Sequence, residues 1–450
     1  MDLSNPPAKT DLGLLREALE SGTMRQVRNL VRSLHPAEIA DLLESLPPAE
    51  RAIVWDLVDD ADDGEVLLEL NDEVRAGIID GMEAAELVAA TEGMDLDDLA
   101  DFVADLPEAV TQQVIRSLSD QDKERLQTVL AYPEDSAGGL MNPDTISVRP
   151  DVSLEVVLRY LRMLTDIPDK TDAVFVVDRH GRYLGALYMS RLVSRDPAAT
   201  VISIMDAAVE PIPCELPAQE VAREFKNRDL VSAPVVDAEG KLIGQITVDD
   251  VVDVIEEQAE HVVLSMAGLD EDDDMFAPVV TSVRRRAIWL GINLATAFLA
   301  SAVVAQFEAT LSKVVVLAVL MPVVASMGGI AGSQTLTLMI RGLALGRVEN
   351  SNARWVMFKE CSVGLLNGLT WAVVVGIVTV IFFSTWEVGV IIAAAITLNL
   401  IIAAFAGFLI PLVMRRLNID PALGGSVVLT TVTDVVGFLT FLGLGALFLT

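Results

Sequence analysis

Between Asp420 and Leu449 the chain reads D-P-A-L-G-G-S-V-V-L-T-T-V-T-D-V-V-G-F-L-T-F-L-G-L-G-A-L-F-L, a run apolar enough to enter a bilayer. Hydrocarbon offers backbone groups no partners, so a segment that crosses it must close its own hydrogen bonds, and a helix does this. Past Asp420 at its edge, the run carries one carboxylate. At roughly 1.5 Å per residue, Asp434 lies about 15 Å from Gly424, near the middle of a hydrocarbon layer about 30 Å thick. A central Asp costs about 3 kcal/mol or more unless it faces a bundle interior or water. Helical spacing places Ser426, Thr430, Asp434, Gly437 and Phe441 on one face, a polar stripe expected to line a cation path.

Four further apolar stretches precede it, near 287–307, 313–340, 356–384 and 388–414, with the last span at 422–449. Arg284–Arg286, the segment holding Arg341, Arg347, Arg354 and Lys359, and the pair Arg415–Arg416 alternate with loops poor in Lys and Arg. The positive-inside rule then puts the N-terminus in the cytoplasm and the C-terminus outside. In the second span Pro322, Gly328, Gly329 and Gly332 either break the helix or allow close helix contact, and Ser333, Gln334, Thr335 and Thr337 add polar atoms.

The rest of the chain is of a different kind. From Arg284 onward ten Lys and Arg stand against six Asp and Glu, so this part is at +4 and the first 283 residues hold −37 of the chain's −33. So acidic a segment excludes nucleic acid as a partner and either stays solvated or collects cations. Two cysteines, Cys214 and Cys361, imply no disulfide framework, and no apolar leader opens the sequence, so the acidic part is expected in the cytosol. His35, His180 and His261 share no metal-ligand spacing. From about Asp11 to Leu130 short helices alternate with Pro and acidic turns. Ile39–Pro47 recurs as Leu99–Pro107 sixty residues later, with a weaker copy at Glu83–Ala90, which predicts stacked helical hairpins. Acidic clusters such as Asp95, Asp97 and Asp98 fall at expected helix ends.

After Pro133 a strand, helix, strand, strand, helix pattern occurs twice. Phe175–Leu187 and Pro234–Ile246 align at an offset of 59, each with a D-x-x-G turn, Asp178–Gly181 and Asp237–Gly240. An acidic helix follows, in which Asp249, Asp253, Glu256, Glu257 and Glu260 crowd one broad face and repel. It leads to the run Asp270–Asp274 and then to Arg284.

The duplicated unit resembles a tandem pair of CBS domains. In that family G-h-h-[ST]-x-x-D can hold an adenosine nucleotide such as ATP; Gly244–Asp250, with Thr247 and Asp250, fits it, whereas Gly185–Arg191 lacks the carboxylate. Either nucleotide binding or a structural and ion-sensing role is open to the pair. The whole chain resembles the MgtE family of magnesium channels through Asp420–Leu423, the core Thr431-Val-Thr-Asp434-Val-Val-Gly437, and the second span from Pro322 to Gln334, where Ile330 and Ser333 replace two asparagines. The resemblance implies a multidomain membrane protein: an all-α helical-repeat N domain (1–133), an α/β tandem CBS pair (134–256), an acidic connecting helix and linker (257–283) and an α-helical five-span pore domain (284–450). It further implies a homodimer in the bacterial inner membrane, with Asp434, the Thr430 carbonyl and Ser426 meeting hydrated Mg2+, without separating Mn2+ or Co2+. Cytosolic magnesium sensing would fall to Asp95, Asp250, Asp253, Glu257, Glu260 and Asp420. Relatives continue the connecting helix as E-A-T-E-D where this chain has Gln258, Ala259, Glu260, His261 and Val262, which predicts a shifted magnesium response. Two other readings are a proton- or sodium-coupled solute transporter with Asp434 as carrier, and a membrane sensor that transports nothing. No nucleophile and base pair, phosphate loop or His and Cys cluster points to an enzyme.

Overall fold

The structure is a computed structural model describing residues 24–449 except 165, 166, 168, 169, 270–273, 350 and 418. The expected helix start near Asp11 and most of the Asp270–Asp274 run lie outside the described residues. The chain divides into two compact units, 1–259 with 272–277, and 260–271 with 278–450.

Among the described residues the first unit begins with nine short helices: α1 Met24–Val31, α2 Pro36–Glu44, α3 Pro48–Trp55, α4 Asp63–Leu68, α5 Asp72–Ile79, α6 Ala84–Ala90, α7 Leu96–Asp105, α8 Glu108–Ser117 and α9 Asp120–Val129. The internal repeat has a plain local cause. In both copies an apolar helix, α2 or α7, runs into a proline, Pro47 or Pro107, whose extended backbone caps the next helix. The missing N–H of proline costs nothing at that boundary.

Two similar α/β lobes follow. The first comprises β1 Ser147–Val148, α10 Leu154–Leu161, β2 Ala173–Val177, β3 Tyr183–Tyr188, α11 Met189–Ser194 and α12 Val201–Ile204; the second comprises β4 Ile212–Pro213, α13 Ala218–Arg228, β5 Ser232–Val236, β6 Leu242–Thr247 and the long α14 Val248–Ser265. Each sheet has the order first, second, third strand, with a parallel and then an antiparallel pairing. The D-x-x-G turns form as their residues require. Asp178 Oδ1 accepts from the N–H groups of His180 and Arg182, Asp237 Oδ1 from those of Glu239 and Lys241, and Gly181 and Gly240 take φ of +80° and +77°. The first lobe buries its own apolar cluster, around Leu154, Val174 and Leu187. The second shares one continuous core with the helical array, from Leu43 and Phe102 to Phe225, Ile246 and Val251.

A buried ion pair straps residues 274–277 onto this unit. Arg51 Nη1 lies 3.0 Å from Asp274 Oδ2, while its other N–H groups donate to the carbonyls of Leu43 and Leu46; the two side chains are 7 and 5 % exposed. The Asp274 backbone N–H donates to Glu73 Oε2.

Among the described residues the second unit holds five helices long and apolar enough to cross a membrane: α15 Val279–Ala305, α17 Val315–Ala344, α18 Ala353–Phe383, α19 Trp386–Arg416 and α20 Pro421–Leu449. A short α16, Glu308–Lys313, joins the first two. The most buried is α19, packed against α17, α18 and α20. The spans sit where hydropathy puts them, with one shift. Helix α15 starts at Val279, so Arg284–Arg286 lie within it rather than before it, because arginine is a good helix former whatever its hydropathy. Pro322 does not interrupt α17. Its glycines serve close contact instead: a Cβ at Gly328 would come within 2.3 Å of Asn399, and one at Gly332 within 2.9 Å of Leu429. The end of α14 belongs to this unit, with Val262 and Met266 packed on Leu336, Ile340, Ala422 and Leu429.

Removing one member of a buried ion pair leaves the other charge uncompensated. Arg51→Met should destabilise the helical array by about 3 kcal/mol, read in the full chain as faster hydrogen exchange in α2 and α3. Unchanged exchange there would show that the Asp274 strap carries no stability.

Candidate functional site

Within the membrane unit, α17 and α20 enclose a cavity of about 900 Å³ lined by Ala325, Ser326, Gly329, Ile330, Ser333, Gln334, Thr337, Leu338, Thr430 and Asp434. The lining of α17 recurs at three- and four-residue intervals, so it is one helical face. Ile330 is 58 % exposed there, a bulky apolar side chain among hydroxyls. Among the described residues the Asp434 carboxylate has no hydrogen-bond or ion-pair partner, although it sits near the middle of α20 and is half-buried.

The three pore residues expected from the sequence do not stand alike. Thr430 and Asp434 line the cavity. Ser426 turns its hydroxyl toward the carbonyl of Met266, at 3.4 Å, beside the end of α14. The Thr430 hydroxyl is bonded back to the Ser426 carbonyl at 2.8 Å, and its own carbonyl accepts from Thr433 Oγ1 at 3.0 Å. The expected stripe also ends earlier. Gly437 and Phe441 are buried, Phe441 in the apolar cluster with Leu317, Ile392 and Leu442, so the polar face stops at Asp434. Periodicity counts turns; packing against α19 decides which turn faces in.

At the start of α20, Asp420 Oδ1 accepts from the Ala422 N–H and caps the helix, while Oδ2 lies 2.8 Å from His261 Nε2. A second carboxylate among the spans escaped the sequence reading. Glu360 on α18 is 5 % exposed and bonded by Lys359 Nζ and by Thr335 Oγ1 of α17 at 3.3 Å. It lies inside the span expected at 356–384, where it entered the reading only through the charge count.

In the first unit the shared core draws carboxylates of the array and of the second lobe together. Asp95, Asp97 and Asp98, at the start of α7, bring their oxygens within 4.8 Å of one another. Asp97 accepts from Asn142 Nδ2 at 3.2 Å, and Asn142 is seated by paired backbone bonds with Gln245 in β6. Burial is the first cause of the electrostatic strain and like charge the second. Asp97 is pushed up to about 8 by burial, then by Asp250, Asp98 and Asp95. Asp98 rises to about 6 through burial and Asp95, against Lys170. Asp101 reaches about 7 through burial and then Glu134 and Asp98, with Glu257 adding to it. Asp250 reaches about 7, mainly through burial, although Thr247 N–H and Oγ1 donate to it at 2.8 and 3.2 Å. Asp253, at the rim, is raised by partial desolvation and by Glu69 and Asp249. Lys170 is drawn in and paired with Asp249.

Of the expected sensing residues, Asp95, Asp250 and Asp253 therefore fall in one acidic neighbourhood with Glu257 at its edge, whereas Glu260 and Asp420 belong to the membrane unit. Asp97, Asp98 and Asp101 complete it; Asp97 and Asp98 had read as helix-end residues, and Asp101 only as part of the Leu99–Pro107 repeat. Thr247 and Asp250, the candidate nucleotide pair, are bonded to each other. Such a set can hold protons or a hard, oxygen-seeking cation.

The profile of the MgtE divalent cation transporter matches residues 321–444, that of the MgtE intracellular N domain residues 34–135, and that of the CBS domain residues 137–197 and 201–257. The chain is 33 % identical over 445 residues to the magnesium transporter MgtE of Thermus thermophilus, covering 97 % of this chain and 98 % of that one. It is 26 % identical over 433 residues to the magnesium transporter MgtE of Bacillus subtilis, covering 96 % of each. A crystal structure of the cytosolic domain of the Mg2+ channel MgtE in complex with ATP matches with 34 % identity and a TM-score of 0.49, covering 54 % of this chain and 99 % of that one.

A carboxylate whose folded pKa is raised stabilises the fold fully below its unfolded value, about 4, and loses that contribution as pH rises through the folded value. Without divalent cations the first unit should therefore loosen between about pH 4 and about 8, the window of Asp98, Asp250, Asp101 and Asp97. Hydrogen exchange in α7 should quicken over that range, and millimolar Mg2+ should suppress the change; a flat profile would refute the clustering.

Proposed function

The chain belongs to the MgtE family of divalent cation transporters, and we propose that it carries magnesium across the membrane along a path centred on Asp434. The observation that carries this is the unpartnered carboxylate, half-way along an apolar helix and facing a cavity with Ser326, Ser333, Gln334, Thr337 and Thr430. Magnesium gives up its waters reluctantly, so a few oxygens that meet the hydrated ion avoid the cost of stripping it.

The cavity opens to the outside of a single chain, and facing lipid it would leave Asp434 at a depth where a charge costs about 3 kcal/mol. A second copy covering that opening removes the cost, so the working unit is a homodimer with two Asp434 side chains across the path. At a separation of ~7 Å and an effective dielectric of ~20 they repel by roughly 2 kcal/mol. A divalent ion between them cancels the repulsion, and a monovalent ion gains about half the attraction.

The four-part division expected from the sequence, with 257–283 as connecting segment, supplies the control. Magnesium from the cytosol fills the cluster of Asp95, Asp97, Asp98, Asp250 and Asp253 and favours a closed path; its loss restores the repulsion and opens it. Taking a gate from 1:99 to 99:1 needs ~5.5 kcal/mol. Four weak sites, each at about ten times its dissociation constant, supply roughly 1.4 kcal/mol apiece. Adenosine nucleotide, if it joins the control, binds the second lobe at Thr247 and Asp250, because the first lobe commits Arg191 to Asp206 instead. The membrane is the bacterial inner membrane, with the acidic part inside, as the distribution of Lys and Arg requires.

Two measurements test this. Asp434→Asn, reconstituted in vesicles, should lower magnesium uptake at least ~10-fold, and uptake equal to wild type would reject the path. His261→Asp, which returns a carboxylate beside Asp420, should lower the cytosolic magnesium needed for half closure by about 10-fold, one tenfold step being about 1.4 kcal/mol. No shift would reject that end of α14 as part of the gate.

A further inference from the structure

Asn399 stands near the middle of α19, fully buried, where an apolar side chain would cost nothing. Its carboxamide lies between two glycines. A Cβ at Gly328 of α17 would meet Nδ2 at 2.3 Å, and one at Gly437 of α20 would meet it at 2.8 Å. Nδ2 donates to the Val324 carbonyl of α17 at 3.0 Å; Oδ1 has no partner among the described residues. A buried amide with an orphaned acceptor is a poor source of stability, and such a group asks for another reason to be present.

Its place supplies one. Gly437 follows Asp434 by a single turn on α20, and Gly328 is flanked by cavity-lining residues, Ala325 and Ser326 before it and Gly329 and Ile330 after it. The amide is thus wedged behind the cavity, against both helices that form it, about one turn of α20 from the carboxylate. We propose that Asn399 is a positioning residue for the ion path, the spacer that sets how far the Ser326–Thr337 face of α17 stands from Asp434 on α20. The claim rests on the reading of Asp434 as the ion-meeting group. A hydrated ion is discriminated by the separation of the oxygens around it, so a spacer acts on selectivity and apparent affinity rather than on capacity. The bond to Val324 fixes the amide to α17; the glycines let both helices close on it.

The test uses the full chain in vesicles. Asn399→Leu keeps the branched four-atom skeleton, adds some bulk and removes the donor. Apparent KM for Mg2+ should rise ~5-fold or more, and discrimination against Ca2+ should narrow, with the melting temperature unchanged or higher. Unchanged KM and unchanged discrimination overturn the proposal. If that variant fails to assemble, Gly437→Ala tests the same wedge from α20: it should raise the apparent KM for Mg2+, a loss of affinity that adding Asn399→Ser should recover. No loss in Gly437→Ala, or no recovery in the pair, overturns the proposal too. Asp434→Asn run alongside separates the two levels. Full uptake there counts against the ion path itself, whereas its loss with Asn399→Leu unaltered counts against the spacer alone.

Discussion

A carboxyl group midway along an apolar helix, without a partner among the described residues, is the condition to which the membrane unit answers. Asp434 finds no cation and no donor among the described residues of its own chain, and at about 3 kcal/mol or more it cannot be left against lipid. The neighbouring elements respond in different ways. Helix α17 brings a face of hydroxyls and Gln334 opposite it, and α19 closes the back with apolar packing and one amide. What remains open is a single side, and that opening is the physical argument for a second copy and for a visiting cation.

The aqueous unit concentrates charge by another route. Nothing in a −37 segment forces its carboxylates together, since exposed ones would spread. They meet because the helical array and the second lobe bury one continuous core, which brings the first turn of α7 against the start of α14. The favourable burial of Leu99, Phe102 and Val251 therefore stabilises an arrangement that like charge opposes. Like charges held this close repel, and a proton or a divalent cation among them would relieve that repulsion.

How much of this was legible varies with the range of the interaction. The D-x-x-G turns need only an Asp side chain and a glycine within four residues, and both formed as read. The helix and proline punctuation of the array is equally local. The apolar spans were visible to within a few residues, except where Arg284–Arg286 were taken as a boundary that the helix does not respect. At the site, Asp434 and Thr430 were legible because a polar residue in an apolar run is conspicuous. Ser426 turned toward Met266, and Gly437 and Phe441 turned inward, through contacts with chain far away in sequence. Asn399 and Glu360 were just as polar and just as misplaced by hydropathy, but no face of their own helices marked them.

By itself the amino-acid sequence settled composition-driven matters: which stretches are apolar enough to enter a bilayer, which lobe is duplicated, where the net charge lies, and that one carboxylate falls midway along the last apolar helix. Those follow from hydropathy, period and local hydrogen bonding, which act over a few residues. Which carboxylates share a neighbourhood, whether Pro322 breaks its helix, and which amide stands behind Asp434 were decided only in three dimensions. Burial and electrostatic strain depend on neighbours that the chain brings close through folding, and no window along the sequence contains them.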